Sequence, residues 1–418
     1  MISFRRIGFF LIALFVLLFE LGCGDQYRPV ANPIIGPGGQ PQPTHGAFVV
    51  SYNPAGPGSV MGIDVSGDTV SQLTTVGLGS VAELLFGGTG IFVANRDADS
   101  VMEYNTVLTS PVVTTVNLPV GARPVALATT QGGVVYVLNS GATENNCPNS
   151  GSISTISTTT LVTTNIVCVG KNPTQMIQLP GGGELYVINQ GDNSVSIYSP
   201  TAQTVSTVTT ANGLGLNPTA LTSSMDGSFV FVATAGDGVN PGTLDILPRY
   251  SGTVGASVPL GVNPVFEVLD TNLNRLYVAN KGSNTVSVFD ASNVNVSNSP
   301  AIPLLGTASV GTGPIGVAPL PSGTQFYVAN AGSNDVTVVN TGNFTALTTV
   351  ALPAGANPVW IASEPGSSRV YVANAGAGTI SIIHTVNNSL AVSLSAPPQV
   401  SGCTSSCVLQ QPQMILTN

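Results

Sequence analysis

The feature that most constrains this chain is a hairpin phrase that recurs eight times along its 418 residues. A typical copy, YVANKGSNTVSVF, predicts a strand, an Asn/Gly turn and a second strand with alternating apolar residues. Successive copies are separated by 42 to 50 residues. They begin at Val50, Phe92, Tyr136, Tyr186, Phe231, Tyr277, Tyr327 and Tyr371.

A second phrase precedes most hairpins and consists of a Gly, two further residues, a Pro and a short apolar strand. The distance from this Pro to the next aromatic anchor is 12 residues once and 13 residues five times. With a Thr/Val-rich strand after each hairpin, every repeat carries four strands. This pattern predicts an all-β chain, a β-propeller of four-stranded antiparallel blades. The Pro positions are Pro124, Pro173, Pro218, Pro264, Pro314 and Pro358.

The C terminus predicts how the ring closes. The segment PQMILT from Pro412 to Thr417 matches the inner-strand phrase PTQMIQ that begins at Pro173, yet no hairpin follows it. The first hairpin, near Val50, conversely has no inner strand before it. We therefore expect the last strand to complete the first of eight blades and leave no free sheet edge. A seven-bladed ring is the alternative.

The recurring phrase Tyr-Val-Ala-Asn-x-Gly-x-Asn-x-Val-Ser-Val, followed by Gly-x-x-Pro, resembles the YVTN β-propeller repeat of YncE-like and surface-layer-associated proteins. The resemblance covers about residues 46–418. It implies the propeller fold and no particular chemistry.

The amino terminus predicts export. Arg5 and Arg6 precede an apolar run of 13 residues at positions 7–19, which is typical of a signal peptide and short for a membrane span. Cys23 after a Gly resembles a bacterial lipobox, which implies lipid attachment to Cys23. Gly24 after it implies, by the same resemblance, the outer membrane. Ordinary cleavage or an uncleaved anchor are the alternatives.

Three segments follow from these patterns. Residues 1–22 are the predicted signal peptide, and residues 23–44 are the predicted lipid-attachment cysteine with a Pro/Gly-rich tether. Residues 45–418 are the predicted propeller.

Four further cysteines fall on one predicted face. With the strands of a blade labelled a to d from the centre to the rim, b–c turns and d-to-a connections share a face. Cys147 lies in the b–c turn of the third blade and Cys168 ends its strand d, whereas Cys403 and Cys407 precede the closing strand. Exported proteins retain disulfides, so we predict Cys147–Cys168 and Cys403–Cys407. A zinc site is the alternative.

Charge and histidine content exclude several function classes. Only 7% of residues are charged, and 10 Lys and Arg against 19 Asp and Glu give a net charge of −9, which argues against nucleic-acid binding. The chain has two histidines, His45 and His384, and neither lies beside a nucleophile motif. We expect both at the surface.

Two glutamates are exceptions to a regular pattern. Three residues into most inner strands the residue is apolar, but the second and sixth blades carry Glu83 and Glu267 there. Buried carboxylates are costly and usually paired or functional. They are candidate catalytic or metal-binding residues at the channel mouth, as in lactonase-type propellers. The alternative is that they reach solvent or bond to neighbouring backbone.

Polar residues just before the inner strands form a candidate ligand site at the mouth of the channel. The alternative is that these asparagines are turn residues. The candidates are Arg123, Lys171, Asn172, Asn217, Asn263 and Asn357.

Asn95, Asp97 and Asp99 have the alternating oxygen ligands of a calcium loop, although the closing Gly and Glu are missing. They are candidate ligands of a divalent metal. The asparagines at the ends of the hairpin strands are interpreted as turn formers.

These patterns favour a monomeric, lipid-anchored propeller of the cell envelope, a non-enzymatic binding or scaffold module for an envelope protein or glycan. No cofactor and no nucleic-acid partner is expected. The alternative is a lactonase-like or other metal-dependent hydrolase with its site at the channel mouth.

Overall fold

The computed structural model describes residues 46–64, 67–86, 90–105, 113–129, 133–141, 147–395 and 410–417. Within them, 32 strands form eight four-stranded antiparallel sheets, so the predicted eight-bladed β-propeller is confirmed. The same residues include two short 3-10 helices, at Arg96–Ala98 and Thr210–Asn212. No helix among the described residues is long and apolar enough to span a bilayer.

The first four blades contain the following strands, each list starting with the inner strand. Blade 1 has β32 (Gln411–Thr417), β1 (Gly46–Tyr52), β2 (Pro57–Asp64) and β3 (Thr69–Leu78). Blade 2 has β4 (Ser80–Phe86), β5 (Gly90–Asn95), β6 (Ser100–Asn105) and β7 (Val113–Asn117). Blade 3 has β8 (Pro124–Ala128), β9 (Val134–Asn139), β10 (Ser152–Ser157) and β11 (Thr163–Cys168). Blade 4 has β12 (Pro173–Gln178), β13 (Leu185–Asn189), β14 (Ser194–Ser199) and β15 (Thr204–Val208).

The other four blades follow the same order. Blade 5 has β16 (Pro218–Ser223), β17 (Phe229–Thr234), β18 (Pro241–Pro248) and β19 (Ala256–Val262). Blade 6 has β20 (Pro264–Asp270), β21 (Arg275–Asn280), β22 (Thr285–Asp290) and β23 (Leu304–Ser309). Blade 7 has β24 (Pro314–Pro319), β25 (Gln325–Asn330), β26 (Asp335–Asn340) and β27 (Ala346–Ala351). Blade 8 has β28 (Pro358–Ser363), β29 (Arg369–Asn374), β30 (Thr379–His384) and β31 (Ser389–Ser395).

The hydrophobic core is divided among the seams between neighbouring blades. Eight clusters of buried side chains occur, one at each seam. In blade 4, for example, Tyr186 and Ile188 pack against blade 5, while Val187 packs against blade 3. Both faces of strand b are therefore buried, which accounts for its nearly continuous apolar sequence.

The ring closes as the sequence predicts. Inner strands contact their neighbours in a complete cycle, and β32 pairs antiparallel with β1, with Val49 opposite Ile415. Side-chain hydrogen bonds join the closing strand to blade 8: Trp360 Nε1 donates to the Ile415 carbonyl at 3.0 Å, and Thr417 Oγ1 donates to the Ser363 carbonyl at 2.8 Å. Closure thus removes the free edge of blade 1.

Each face of the disc carries one kind of connection. The b–c turns and the connections that lead into each strand a lie on one face, called here the entry face. The a–b and c–d turns lie on the other, called the opposite face. This alternation follows from the antiparallel order of each blade.

We predict that a chain ending at Gln410 loses several kcal/mol of stability and self-associates. The truncation exposes the edge of β1 and removes Ile415 from its seam, where its burial alone contributes about 2 kcal/mol. Thermal unfolding and size-exclusion chromatography measure both effects. Removal of Asn418 alone is the control, and a truncated chain that stays monomeric with an unchanged melting temperature would contradict the prediction.

Candidate functional site on the entry face

The residue immediately before the inner strand has a left-handed backbone in seven blades, with φ between 42° and 68°. We call these seven residues the entry ring. Gly and Asn adopt this conformation most readily, so turn geometry accounts for the four asparagines before the strand-opening Pro. The entry ring comprises Gly79, Arg123, Asn172, Asn217, Asn263, Gly313 and Asn357.

The backbone of the entry ring is tied to the b–c turn of its own blade. In blade 4, the Gln190 N–H donates to the Asn172 carbonyl at 3.1 Å, and the Gly191 N–H donates to the Lys171 carbonyl at 2.9 Å. In blade 6, the Lys281 N–H donates to the Asn263 carbonyl at 2.9 Å. The chain therefore enters each inner strand at a fixed position.

A side chain from the preceding blade fixes the entry ring across the seam. Asn193 Oδ1 of blade 4 accepts from the Asn217 N–H at 2.9 Å, and Asn334 Oδ1 of blade 7 accepts from the Asn357 N–H at 2.7 Å. Asn284 and Gly313 repeat the contact at 2.9 Å. Sequence reasoning missed these clamps, although the Asn in each Gly-x-Asn turn carried the signal.

The asparagines at the ends of the b strands are buried ties rather than the turn formers we expected from the sequence. Asn189 is 0% exposed and its Nδ2 donates to Ser194 Oγ at 3.0 Å and Ser196 Oγ at 2.9 Å on the neighbouring strand. The alternating Ser or Thr of the next strand supplies the acceptors. Five others are equally buried: Asn95, Asn139, Asn280, Asn330 and Asn374.

The Gly of the Gly-x-x-Pro phrase is required by the same buried amide. The Gly261 N–H donates to Asn280 Oδ1 at 3.1 Å, and a Cβ at position 261 would lie 2.7 Å from Asn280 Cβ. A larger residue would displace the amide, so the Gly and Asn phrases form one structural unit.

Blade 5 replaces this amide tie with a buried carboxylate. Thr234 stands where six blades have Asn, and Asp245 stands where blade 4 has Ser196. Asp245 accepts from the Gly215 N–H at 2.6 Å and from Ser257 Oγ at 2.7 Å. Burial raises the pKa of Asp245 despite these donors. This side chain tethers the entry into blade 5.

Cations collect on the entry face. Four of the seven Lys and Arg in the described part of the chain lie there, in blade 2, at the entries to blades 3 and 4, and in blade 6. Arg96 forms an ion pair with Asp97 at 2.9 Å, which lowers the pKa of Asp97. The other three entry-face cations, Arg123, Lys171 and Lys281, are exposed.

The structure gives the three residues of the candidate calcium loop separate partners. Asn95 Oδ1 accepts from Ser80 Oγ at 2.9 Å, and Asp97 pairs with Arg96. The Asp99 carboxylate accepts from the Gly121 and Arg123 N–H groups at 2.7 and 2.8 Å. No group of three His, Cys, Asp or Glu among the described residues is placed to share a metal.

On the opposite face, charged side chains join neighbouring blades. Arg249 of blade 5 pairs with Glu184 of blade 4 at 2.9 Å. At the closing seam, Asp68 of blade 1 is bound by Arg369 Nε at 2.8 Å and His384 Nε2 at 2.9 Å, both from blade 8. His384 is therefore only partly exposed and belongs to the closure contacts.

Glu267 lies in the seam between blades 5 and 6. Its equivalents, such as Leu221 and Val317, pack against the preceding blade. Glu267 is 6% exposed, and neither carboxyl oxygen has a hydrogen-bond partner. It is thus buried in the seam, next to the backbone of Thr222 and Ala233 in blade 5. Glu83 occupies the same register position in β4, and its side chain lies outside the described residues.

Burial controls the ionisation of Glu267. It raises the pKa of Glu267 well above the ordinary value of 4.5, because the charged form loses its hydration. The backbone of Thr222 and Ala233 in blade 5 offsets part of this shift. The carboxyl therefore keeps its proton to a higher pH than an exposed glutamate does.

One predicted disulfide is present. Cys147 and Cys168 are bonded, with Cα atoms 5.3 Å apart, and join the b–c turn of blade 3 to the end of its strand d. Cys403, Cys407, Cys23 and His45 lie outside the described residues, so the predictions about them stay predictions.

The fold is shared with solved propellers at low sequence identity. The periplasmic gluconolactonase PpgL of Pseudomonas aeruginosa is 14% identical, with a TM-score of 0.57 over 89% of this chain and 98% of that one. AztD from Citrobacter koseri is 13% identical, with a TM-score of 0.55 over 90% and 97%. The dihydro-heme d1 dehydrogenase NirN is 11% identical, with a TM-score of 0.68 over 90% and 75%.

No protein-family model matches the chain, and a search of curated proteins finds no match. The structural neighbours define its class, a β-propeller, and at these identities they show the fold alone.

We predict that Glu267→Gln removes a pH dependence of stability. A raised pKa in the folded state means that stability is fully present below pH 4.5 and is lost as pH rises toward the folded pKa. Over that range the wild type should lose about 1.4 kcal/mol per pH unit relative to the variant. Melting temperatures of both proteins between pH 4.5 and 8 measure this, and parallel curves would contradict it.

We predict that replacing Cys147 and Cys168 together by Ser lowers the free energy of unfolding by about 3 kcal/mol. The bond closes a loop with a sequence separation of 21, whose entropy in the unfolded chain is restored when the link is lost. Denaturant unfolding measures the change. The wild type under reducing conditions should match the variant, and equal stability of oxidised and reduced protein would refute the prediction.

Proposed function

We propose that this chain is an exported, lipid-anchored propeller of the cell envelope that works as a non-enzymatic binding or scaffold module, with the entry face as its ligand surface. The observation that carries the proposal is the entry ring. Seven blades present the residue before the inner strand in one backbone conformation, around a common axis. A rigid ring of amides and cations is suited to ligand binding.

Two features support export. The predicted signal sequence of residues 1–22 precedes the domain, and the Cys147–Cys168 disulfide suits an oxidising compartment. The structural neighbour PpgL is described as a periplasmic enzyme. The lipid anchor at Cys23, the outer membrane and the YVTN relationship are part of the proposal.

A binding role is favoured over catalysis because the polar groups of the described residues mainly hold blades together. Asn193, Asn284 and Asn334 bind backbone across seams, and Asp68 binds Arg369 and His384. These side chains therefore already have hydrogen-bond or ion-pair partners within the fold.

A lactonase-like activity is the second candidate. The unpartnered carboxyl of Glu267 favours it, as does the likeness to a gluconolactonase. Hydrolysis of a panel of sugar lactones that is lost in both Glu83→Gln and Glu267→Gln would replace the binding proposal with this one.

Fractionation of cells tests the anchor. We expect the wild type in the membrane fraction and Cys23→Ala in the soluble exported fraction, because the variant lacks the lipidated thiol. Both proteins should carry the disulfide. Cytoplasmic location of the wild type would contradict export, and membrane retention of Cys23→Ala after high-salt washing would contradict the lipid anchor.

The role of the entry face is tested in the Cys23→Ala protein. Replacing Lys171 and Lys281 by Ser should lower its retention on washed envelopes severalfold, since both cations are exposed on that face. The matched control replaces Met225 and Tyr250, exposed on the opposite face, by Ser. Equal retention of the two double variants would contradict the proposal.

A further inference from the structure

We propose that the entry face binds a carboxylate-bearing ligand, with Arg123 as its anchor and Lys171 of the neighbouring blade as a second donor. This inference rests on the proposed binding function and adds the chemical class of the ligand. It depends on the left-handed backbone of Arg123 and on which charged side chains of the entry face already have partners within the fold.

Arg123 occupies a position that its residue type does not suit. The other six members of the entry ring are Asn or Gly, whereas Arg123 has φ of 52° with a full side chain. A left-handed backbone costs such a residue about 1 kcal/mol. Strained positions of this kind cluster at active sites and ligand-binding sites.

Nothing inside the described structure requires an arginine there. The Arg123 N–H donates to Asp99 Oδ1 at 2.8 Å, and its carbonyl accepts from the Ser140 N–H at 3.0 Å. Any residue with a peptide group would make both contacts. The side chain is 56% exposed and, among the described residues, forms one ion pair, with Asp97 at 3.6 Å. This separation is too long for a hydrogen bond, so the guanidinium keeps N–H donors for a ligand.

The acidic side chains near Arg123 already accept internal hydrogen bonds. Asp97 accepts from Arg96 at 2.9 and 3.2 Å, and Asp99 accepts from two backbone N–H groups. Asp192 accepts from the Lys171 N–H at 3.1 Å and from Ser194 Oγ at 2.7 Å.

The acidic residues farther round the face are engaged in the same way. Asp237 accepts from the Val239 and Asn240 N–H groups at 2.9 and 2.8 Å, and Asp335 accepts from Asn330 Nδ2 at 2.7 Å. Each of these carboxylates thus accepts at least one hydrogen bond from the fold.

The two lysines of the same face differ from Arg96 and Arg123, which both lie within ion-pair distance of Asp97. Among the described residues, neither Lys171 nor Lys281 forms an ion pair, and both are exposed. Donors without matching acceptors favour a ligand that brings its own acceptors. A carboxylate is such a ligand, and a guanidinium can bind it through two parallel N–H···O bonds.

Calorimetric titration of the full-length protein tests the inference with three probes. Polygalacturonate and free galacturonate carry the carboxylate on a polymer and on a monomer, and galactan is the neutral control. We expect binding of one or both uronates and no binding of galactan. Binding of the polymer alone identifies an extended ligand, whereas equal affinity per site identifies a small one. Equal binding of galactan, or binding of none, would overturn the inference.

The variant Arg123→Asn tests the role of the side chain in binding without destabilising the fold. Asn suits the left-handed turn, so the variant should melt at the same temperature as the wild type or higher, yet bind uronate about tenfold more weakly. Tyr250→Asn places the same residue at a left-handed position on the opposite face, where φ is 65°, and should bind normally. Unchanged affinity of Arg123→Asn would overturn the role of Arg123.

The two proposals fail differently. If retention on envelopes depends on the entry face while uronates do not bind, the ligand class is wrong and the binding module stands. If retention shows no dependence on that face, the proposed function itself fails.

Discussion

The constraint on which the structure depends is the packing of each sheet against two neighbours around a closed ring. Every seam holds its own cluster of buried side chains, so no blade has a complete core alone. Repeat proteins of this kind gain their stability from neighbour contacts. Closure is therefore essential, and β32, Trp360 and the Asp68–Arg369 pair all act at the one seam where the chain ends meet.

Polar residues fix the position of each sheet relative to its neighbours. On the entry face, Asn193, Asn284 and Asn334 bind the backbone of the next blade. On the opposite face, ion pairs such as Arg249–Glu184 cross the seams. A chain with only 7% charged residues thus uses much of its polar chemistry for alignment. What remains exposed, above all Arg123 and Lys171, is where a ligand can be recognised.

Much of the fold could be predicted because the same short sequence pattern recurs in each repeat. The constant spacing from the strand-opening Pro to the aromatic anchor permits only tight turns, and the match between Pro412–Thr417 and β12 indicates the closure. The pairing of Cys147 with Cys168 followed from topology. The candidate site was harder to predict from the sequence than the fold. Asn before Pro is compatible with a turn residue and with a ligand-binding residue, and only the backbone angles show that Arg123 shares the left-handed conformation of its asparagine equivalents.

The sequence by itself determined the strand order and the face on which Cys147 and Cys168 meet, and it favoured eight blades over seven, since these depend on local spacing and on alternation. Tertiary structure alone decided which side chains cross a seam. Asn189 is a buried tie rather than a turn former, and Glu267 is buried between blades 5 and 6. The reason is physical: a repeat specifies how its own strands pair, whereas burial and partnership depend on the neighbouring sheet, which lies some 45 residues away.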